Sequence, residues 1–145
     1  MNNQISLLSL LEENPSKTCF VLHEGEIIFT SEERGVKPLL DYLSSGPEKK
    51  EITVVDKIMG KGAVFLAIAA GAKKIATPVI SEMALRLAEE YELEAEYEKI
   101  VPKIINRTGD GFCPIETAVL DEWDVKKALV KITDRLKELN DRLRN

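Results

Sequence analysis

The sequence predicts an α/β fold of three layers, α-β-α, around a mixed sheet of about five strands. Three observations carry that expectation. Residues 52–91 read as strand, glycine-bearing turn, apolar helix, strand and amphipathic helix. Units of this β-α-β-α kind normally build parallel, right-handed crossovers. Residues 18–30 hold two β-rich runs with His23-Glu24-Gly25 between them, the pattern of a hairpin. The apolar positions from Val125 to Leu143 recur at helical spacing. A chain of 145 residues, 44% hydrophobic and 31% charged, suits one domain spanning residues 1–145 with a substantial core.

Taken in order, residues 3–13 predict a short amphipathic helix that uses Ile5, Leu8 and Leu11, with Leu7 alongside, and closes at Asn14-Pro15. Thr18–Leu22 and Glu26–Thr30 are the two hairpin strands, with Gly25 where a positive φ is needed. Ser31 is placed to cap a helix that presents Val36, Leu39, Leu40 and Leu43, with Pro38 near its first turn and Ser44-Ser45-Gly46-Pro47 ending it. Ile52, Val54 and Val55 form a buried strand that stops at Asp56. Ala63 to Ala70 is apolar on every face, so it predicts a helix lying on a sheet with further protein over it. Gly71 ends that helix at the C′ position. Ile75–Ile80 is the next strand, and Ser81 caps a helix with Ala84, Leu87, Ala88 and Tyr91 on one side. Leu93 to Ile100 alternates apolar and acidic residues, the pattern of an edge strand with one wet face. Residues 101–116 have no clear period, and loops of that length in compact domains tend to carry function. Asp124 then caps the final helix, which either closes a face of the sheet or mediates self-association.

The totals exclude several classes. A net charge of −5 argues against a general nucleic-acid binder, leaving only the basic last helix as a place for one. Seven glutamates against a lone Arg86 in 82–98 read as a solvated face. The two cysteines, Cys19 and Cys113, are too few for a disulfide framework, and the first residues lack the basic start and cleavage site of a signal peptide. No apolar run spans a bilayer. A cytoplasmic protein with no membrane partner is the expectation.

The candidate chemistry gathers in two stretches. Asp56 stands at the carboxyl end of a central strand, where open α/β sheets collect ligands; it suits a general base, a ligand acceptor or a cap on the following turn. Gly60, Lys61 and Gly62 lie between a strand and a helix start. Backbone N–H groups and the helix dipole there suit a phosphate or carboxylate, and the glycines alternatively permit a tight turn and close packing. With Pro114 as the first residue of a short helix, Cys113 is its N-cap, a place that activates thiols; burial as a small hydrophobe is the other outcome. Glu116, three residues on, is spaced to accept from the Cys113 backbone N–H. Arg107 suits a carboxylate or phosphate of a ligand, or pairing with the acidic segment. Asn106 and Ser81 complete the candidate ligand-binding set.

The stretches GKGAVFLAIAAGAKKI (60–75), VISEMALRLAEE (79–90) and IINRTGDGFCPIE (104–116) resemble a bacterial and archaeal family of unknown function grouped with the cytidine-deaminase-like fold. The resemblance implies a five-stranded mixed sheet sandwiched by helices and no assigned reaction. It lacks the zinc-deaminase motifs. Those need H-x-E at one helix start and P-C-x-x-C at another, which together supply three metal ligands. Here Ser31-Glu32-Glu33-Arg34-Gly35 and Met59-Gly60-Lys61-Gly62 stand at those starts, and Cys113-Pro114 reverses the Pro-Cys order.

The expectation is therefore a protein that binds a small anionic or nucleotide-like metabolite in a cleft at the strand carboxyl ends. Any conversion would be thiol- or carboxylate-based, with Cys113 and Asp56 as catalytic candidates, no cofactor and no metal site. The alternative from another class is a non-catalytic protein-interaction or self-association module.

Overall fold

The computed structural model describes residues 6–104 and 113–144. The elements are α1 (Ser9–Glu13), β1 (Cys19–His23), β2 (Glu26–Ser31), α2 (Lys37–Ser44), β3 (Ile52–Asp56), β4 (Ile58–Met59), α3 (Lys61–Ala69), β5 (Ala72–Ser81), α4 (Glu82–Glu90), β6 (Glu94–Val101), α5 (Pro114–Ala118) and α6 (Val125–Arg144). They build a mixed sheet of six strands flanked by helices.

The expectation of about five strands falls short by β4, whose two residues are too few to show a period. It continues the line of β3 after a break at Lys57. The long strand β5 explains the break. Its residues 72–76 pair with β3, its Val79 and Ile80 pair with β4, and β6 runs along 74–81. A strand has two edges, so β3 and β4 share one and β6 takes the other. Pro78 falls where the partner changes, so its missing N–H costs no ladder bond to β3 or β4.

Both crossovers, β3-α3-β5 and β5-α4-β6, join parallel strands, while β1 runs antiparallel to β2 and β3. The β1–β2 hairpin turns on Glu24 and Gly25, with φ of 52° and 81°, the two positive values that a tight right-twisted hairpin needs. Gly71 ends α3 at φ 88°.

Period-two alternation divides the core. Cys19, Val21, Ile52, Val54 and Ile75 face the larger cluster with α2, α3 and α4. Phe20, Leu22, Val55 and Ala76 face the other way, against Leu8 and Leu11 at α1. Among the described residues the sandwich is thus unequal, with one short helix on one side. Helix α3 is buried from Lys61 to Ala67 because α5 and α6 lie over it, which is what its apolar circumference demands. Helix α6 packs on α3 and α5, where Ala128 and Ile132 are fully buried, rather than on the sheet itself.

Other boundaries move for local reasons. Ser31 does not cap α2. It ends β2 and accepts from the Glu33 N–H, while α2 waits until Lys37 and carries Pro38 in its first turn. The first helix covers only residues 9–13 of the expected 3–13, and Ile5 lies outside the described residues. Strand β6 is wet on both faces beyond its start, with Tyr97 to Ile100 exposed among the described residues. Lys74 tethers it through Glu94 (3.0 Å) and Glu96 (3.4 Å).

Glycine at 62 follows from the packing of α5 on α3. A Cβ there would lie 2.6 Å from Ile115 Cγ2. Gly62→Ala should therefore destabilise by about 1–3 kcal/mol in urea unfolding, although helix propensity favours alanine by about 1 kcal/mol. Adding Ile115→Ala should return part of that loss.

Candidate functional site

A hollow of about 830 Å³ opens at the carboxyl end of β3. Its walls come from several parts of the chain, from Pro15 to Leu139. Asp56, Lys57 and Ile58 come from the β3–β4 break; Gly60, Gly62 and Ala63 from the start of α3; Cys113 to Glu116 from the start of α5. Arg34 to Lys37 from the approach to α2 and Leu136 and Leu139 from α6 add to it. The strand end, the glycine-lined helix start and the thiol that the sequence singled out thus share one space.

Asp56 is the most unusual group in it. The residue is only 5% exposed, Oδ1 accepts from the Lys57 N–H at 2.8 Å, and Oδ2 is buried with no hydrogen-bond partner among the described residues. Burial pushes its pKa up to about 8, against the opposing backbone bonds from Lys57 and Ile58. At neutral pH this carboxyl is mostly protonated, so Oδ2 can donate as well as accept. Capping of the following turn occupies one oxygen. Cys19, opposite Asp56 on β1, is fully buried, and burial first and the Asp56 charge second push its thiol pKa far up.

The start of α3 differs from the expected anion seat. Gly60 is its N-cap, with φ −95° and no side chain to offer. The Lys61 N–H is already taken by Glu116 Oε1 at 2.5 Å, and a Cβ on Gly60 would fall 1.3 Å from that oxygen. Glu116 therefore does not close back on Cys113, whose N–H instead donates to the Ile104 carbonyl at 3.2 Å. Burial raises the Glu116 pKa to about 7, with the Lys61 N–H and the Lys61 ammonium opposing. The glycines serve close approach: α5 side chains fill the space where their Cβ atoms would be.

The Lys61 side chain turns away from the hollow. It is fully buried, donates to the Leu120 carbonyl at 2.9 Å, and sits 3.8 Å from the centre of the Trp123 ring. Burial pulls its pKa down, and Glu116 leads the acidic groups that oppose this. Trp123 staples the entry of the last helix through this cation and by accepting the Tyr91 hydroxyl at 2.7 Å on its carbonyl.

Cys113 is the N-cap of α5 with Pro114 behind it, half-buried on the wall of the hollow. Ser81 is buried, spends its hydroxyl on the Ala84 N–H at 3.1 Å, and is not among the wall residues. Asn106 and Arg107 lie outside the described residues. Among those described, no three His, Cys, Asp or Glu side chains converge as a metal cluster would require. Sequence patterns missed Arg34, Thr18, Leu136 and Leu139 as wall residues, because helix and strand periods assign a core face without saying which end of it stays open.

Asp56 makes stability depend on pH with a definite sign. The unfolded chain ionises it near 4, whereas the folded protein holds its proton to about 8. Its contribution is complete below pH 4 and is lost as pH rises through 8. Urea unfolding across pH 5–9 should show stability falling over this window, and Asp56→Asn should flatten that slope. An unchanged slope would mean that the carboxyl is ionised throughout.

Comparison with known proteins comes to one family. Residues 7–136 match the family described as TM1506, a domain of unknown function (DUF1893). The fold is similar to the crystal structure of a DUF1893 family protein (TM1506) from Thermotoga maritima, with a TM-score of 0.77 and 28% identity over 90% of this chain and 86% of that one. No curated protein matches. Among the described residues no helix is long and apolar enough to cross a membrane. A match over this much of the chain makes the protein a member of the DUF1893 family.

Proposed function

We propose that the protein is a cytoplasmic binder of a small anionic, nucleotide-like metabolite, built on a deaminase-like α/β scaffold and seated in the hollow beside Asp56. The observation that carries this is Asp56, a residue lining the hollow whose buried Oδ2 has no hydrogen-bond partner among the described residues. Leaving such a group unpaired costs about 1–3 kcal/mol, and a ligand hydroxyl, ring nitrogen or N–H would recover it.

The surroundings suit such a ligand. A volume of about 830 Å³ lies within the usual range for small-molecule sites. Ile58, Ala63, Ile104, Leu136 and Leu139 offer apolar surface for a ring, and Arg34 offers a cationic group to a charged substituent, with Lys37 held by Asp41 and Lys57 donating to the Pro15 carbonyl beside it. The element order and the mixed sheet support the deaminase-like scaffold. The deaminase metal motifs are absent from the sequence, so the conversion open to these residues is thiol- or carboxylate-based, through Cys113 or Asp56.

Thermal unfolding with mononucleotides and sugar phosphates tests the proposal. Wild type should gain several degrees with at least one of them at concentrations well above its Kd, since ligand bound only to the folded state stabilises by mass action. Asp56→Leu, which fills the place of the carboxyl without its hydrogen bonds, should lose most of that gain. The proposal fails with no response from wild type, or with an equal response from Asp56→Leu.

A further inference from the structure

Thr18 ties together the polar side of the hollow. Its N–H donates to the Ser31 carbonyl at 2.8 Å, its hydroxyl donates to the Glu33 carbonyl, and its carbonyl accepts from the Lys57 N–H at 3.3 Å. The next turn is held as well. The Glu33 N–H donates to the Ser31 hydroxyl at 3.0 Å, and the Arg34 carbonyl accepts from the Lys37 N–H at 3.3 Å. Arg34 is thus carried on a pinned backbone, and its exposed side chain lines the hollow. That side chain is unspent. The other charged wall residues among those described are engaged: Glu32 with Lys17 at 3.5 Å, Lys37 with Asp41 at 3.1 Å, and the Lys57 ammonium with the Pro15 carbonyl at 3.0 Å. Asp56 and Glu116 accept from the Lys57 and Lys61 N–H groups. Among the described residues the Arg34 guanidinium has neither an ion pair nor a hydrogen bond. The wall built by α3, α5 and α6 is largely apolar, with Ala63, Ile115, Leu136 and Leu139.

We infer that Arg34 selects the ligand by its phosphate, and that the preferred class is a nucleoside 5′-monophosphate, its phosphate on the guanidinium and its base against Leu136 and Leu139. The inference rests on the binding site proposed above and names the ligand class and the residue that reads it. A guanidinium presents its N–H groups as a planar fork that matches two oxygens of one phosphate. One open cation fits one phosphate. A diphosphate or triphosphate would bring further negative charge beside Glu32 and Glu116, and the lysines of the wall are already engaged. A bare phosphate or a sugar phosphate would satisfy Arg34 and leave the apolar wall wet, whereas a base covers it. No covalent bond changes on binding. Arg34 is a specificity-determining residue, and its role is separate from the carboxyl of Asp56.

The experiment measures dissociation constants by titration calorimetry on the full chain. The probes are adenosine, cytidine, guanosine and uridine, their 5′-monophosphates and 5′-triphosphates, and ribose 5-phosphate. In wild type at least one monophosphate should bind about tenfold or more tightly than its own nucleoside, the worth of one charge-assisted contact. It should also bind more tightly than the matching triphosphate and than ribose 5-phosphate. Arg34→Gln keeps a polar side chain without the charge and should bring the monophosphate-to-nucleoside ratio to within about twofold of one. Arg34→Lys keeps the charge without the fork and should retain part of the preference. Both ligands are measured on the same preparation, so any loss of folded protein cancels in the ratio. A ratio near one in wild type overturns the inference. So does a ratio that survives Arg34→Gln, or a triphosphate that binds more tightly than its monophosphate. Binding that depends on Asp56 but keeps its phosphate preference in Arg34→Gln defeats this inference alone. Absence of binding by every probe in wild type defeats the binding site itself, and this inference with it.

Discussion

The docking of α5 on the first turn of α3 is the constraint on which the rest depends. Ile115 lies where a side chain on Gly62 would be, Glu116 lies where one on Gly60 would be, and the Lys61 ammonium reaches past them to the Leu120 carbonyl. Two glycines and one buried lysine thus fix a segment that is remote in sequence. Removing a Cβ twice lets backbone and side chain approach closely, and that approach defines one wall of the hollow.

This arrangement accounts for an apparent conflict, since a lysine opens an otherwise apolar helix at full burial. A buried ammonium is costly unless its donors are engaged and its charge is met. Here a carbonyl, an aromatic face and a nearby carboxylate share that task, and the lysine's aliphatic stem adds to the packing. Asp56 presents the opposite case. Its second oxygen has no partner among the described residues, so burial is relieved by protonation instead. The two groups flank the β4 segment, one satisfied by its contacts and the other by its proton.

The interruption between β3 and β4 is what creates the cavity. An uninterrupted strand would keep Asp56 and Lys57 in the ladder beside β5. Because pairing stops at Val55 and resumes at Ile58, Lys57 leaves the ladder and Asp56 is left at a strand end. Pro78 on β5 supports the same gap from the other side, as a residue that cannot donate to a neighbour.

Sequence periodicity by itself determined the parallel unit from 52 to 91, the hairpin with Gly25, the capped final helix, the C′ role of Gly71 and the placing of Cys113 before Pro114. These are local matters, governed by hydrophobic spacing, turn chemistry and caps within a few residues. It also placed Asp56 and the glycines in a common neighbourhood, because strand ends and helix starts of a parallel unit gather on one side. Only the tertiary structure decided that Glu116 caps α3 rather than its own helix, that Lys61 is buried under Trp123, that Ser81 is spent on a cap, and that Leu136 and Leu139 reach the hollow. Each of these is a contact between segments tens of residues apart. Such contacts are settled by which side chain fits a particular space and which polar group lacks another partner, and no spacing along the chain records either.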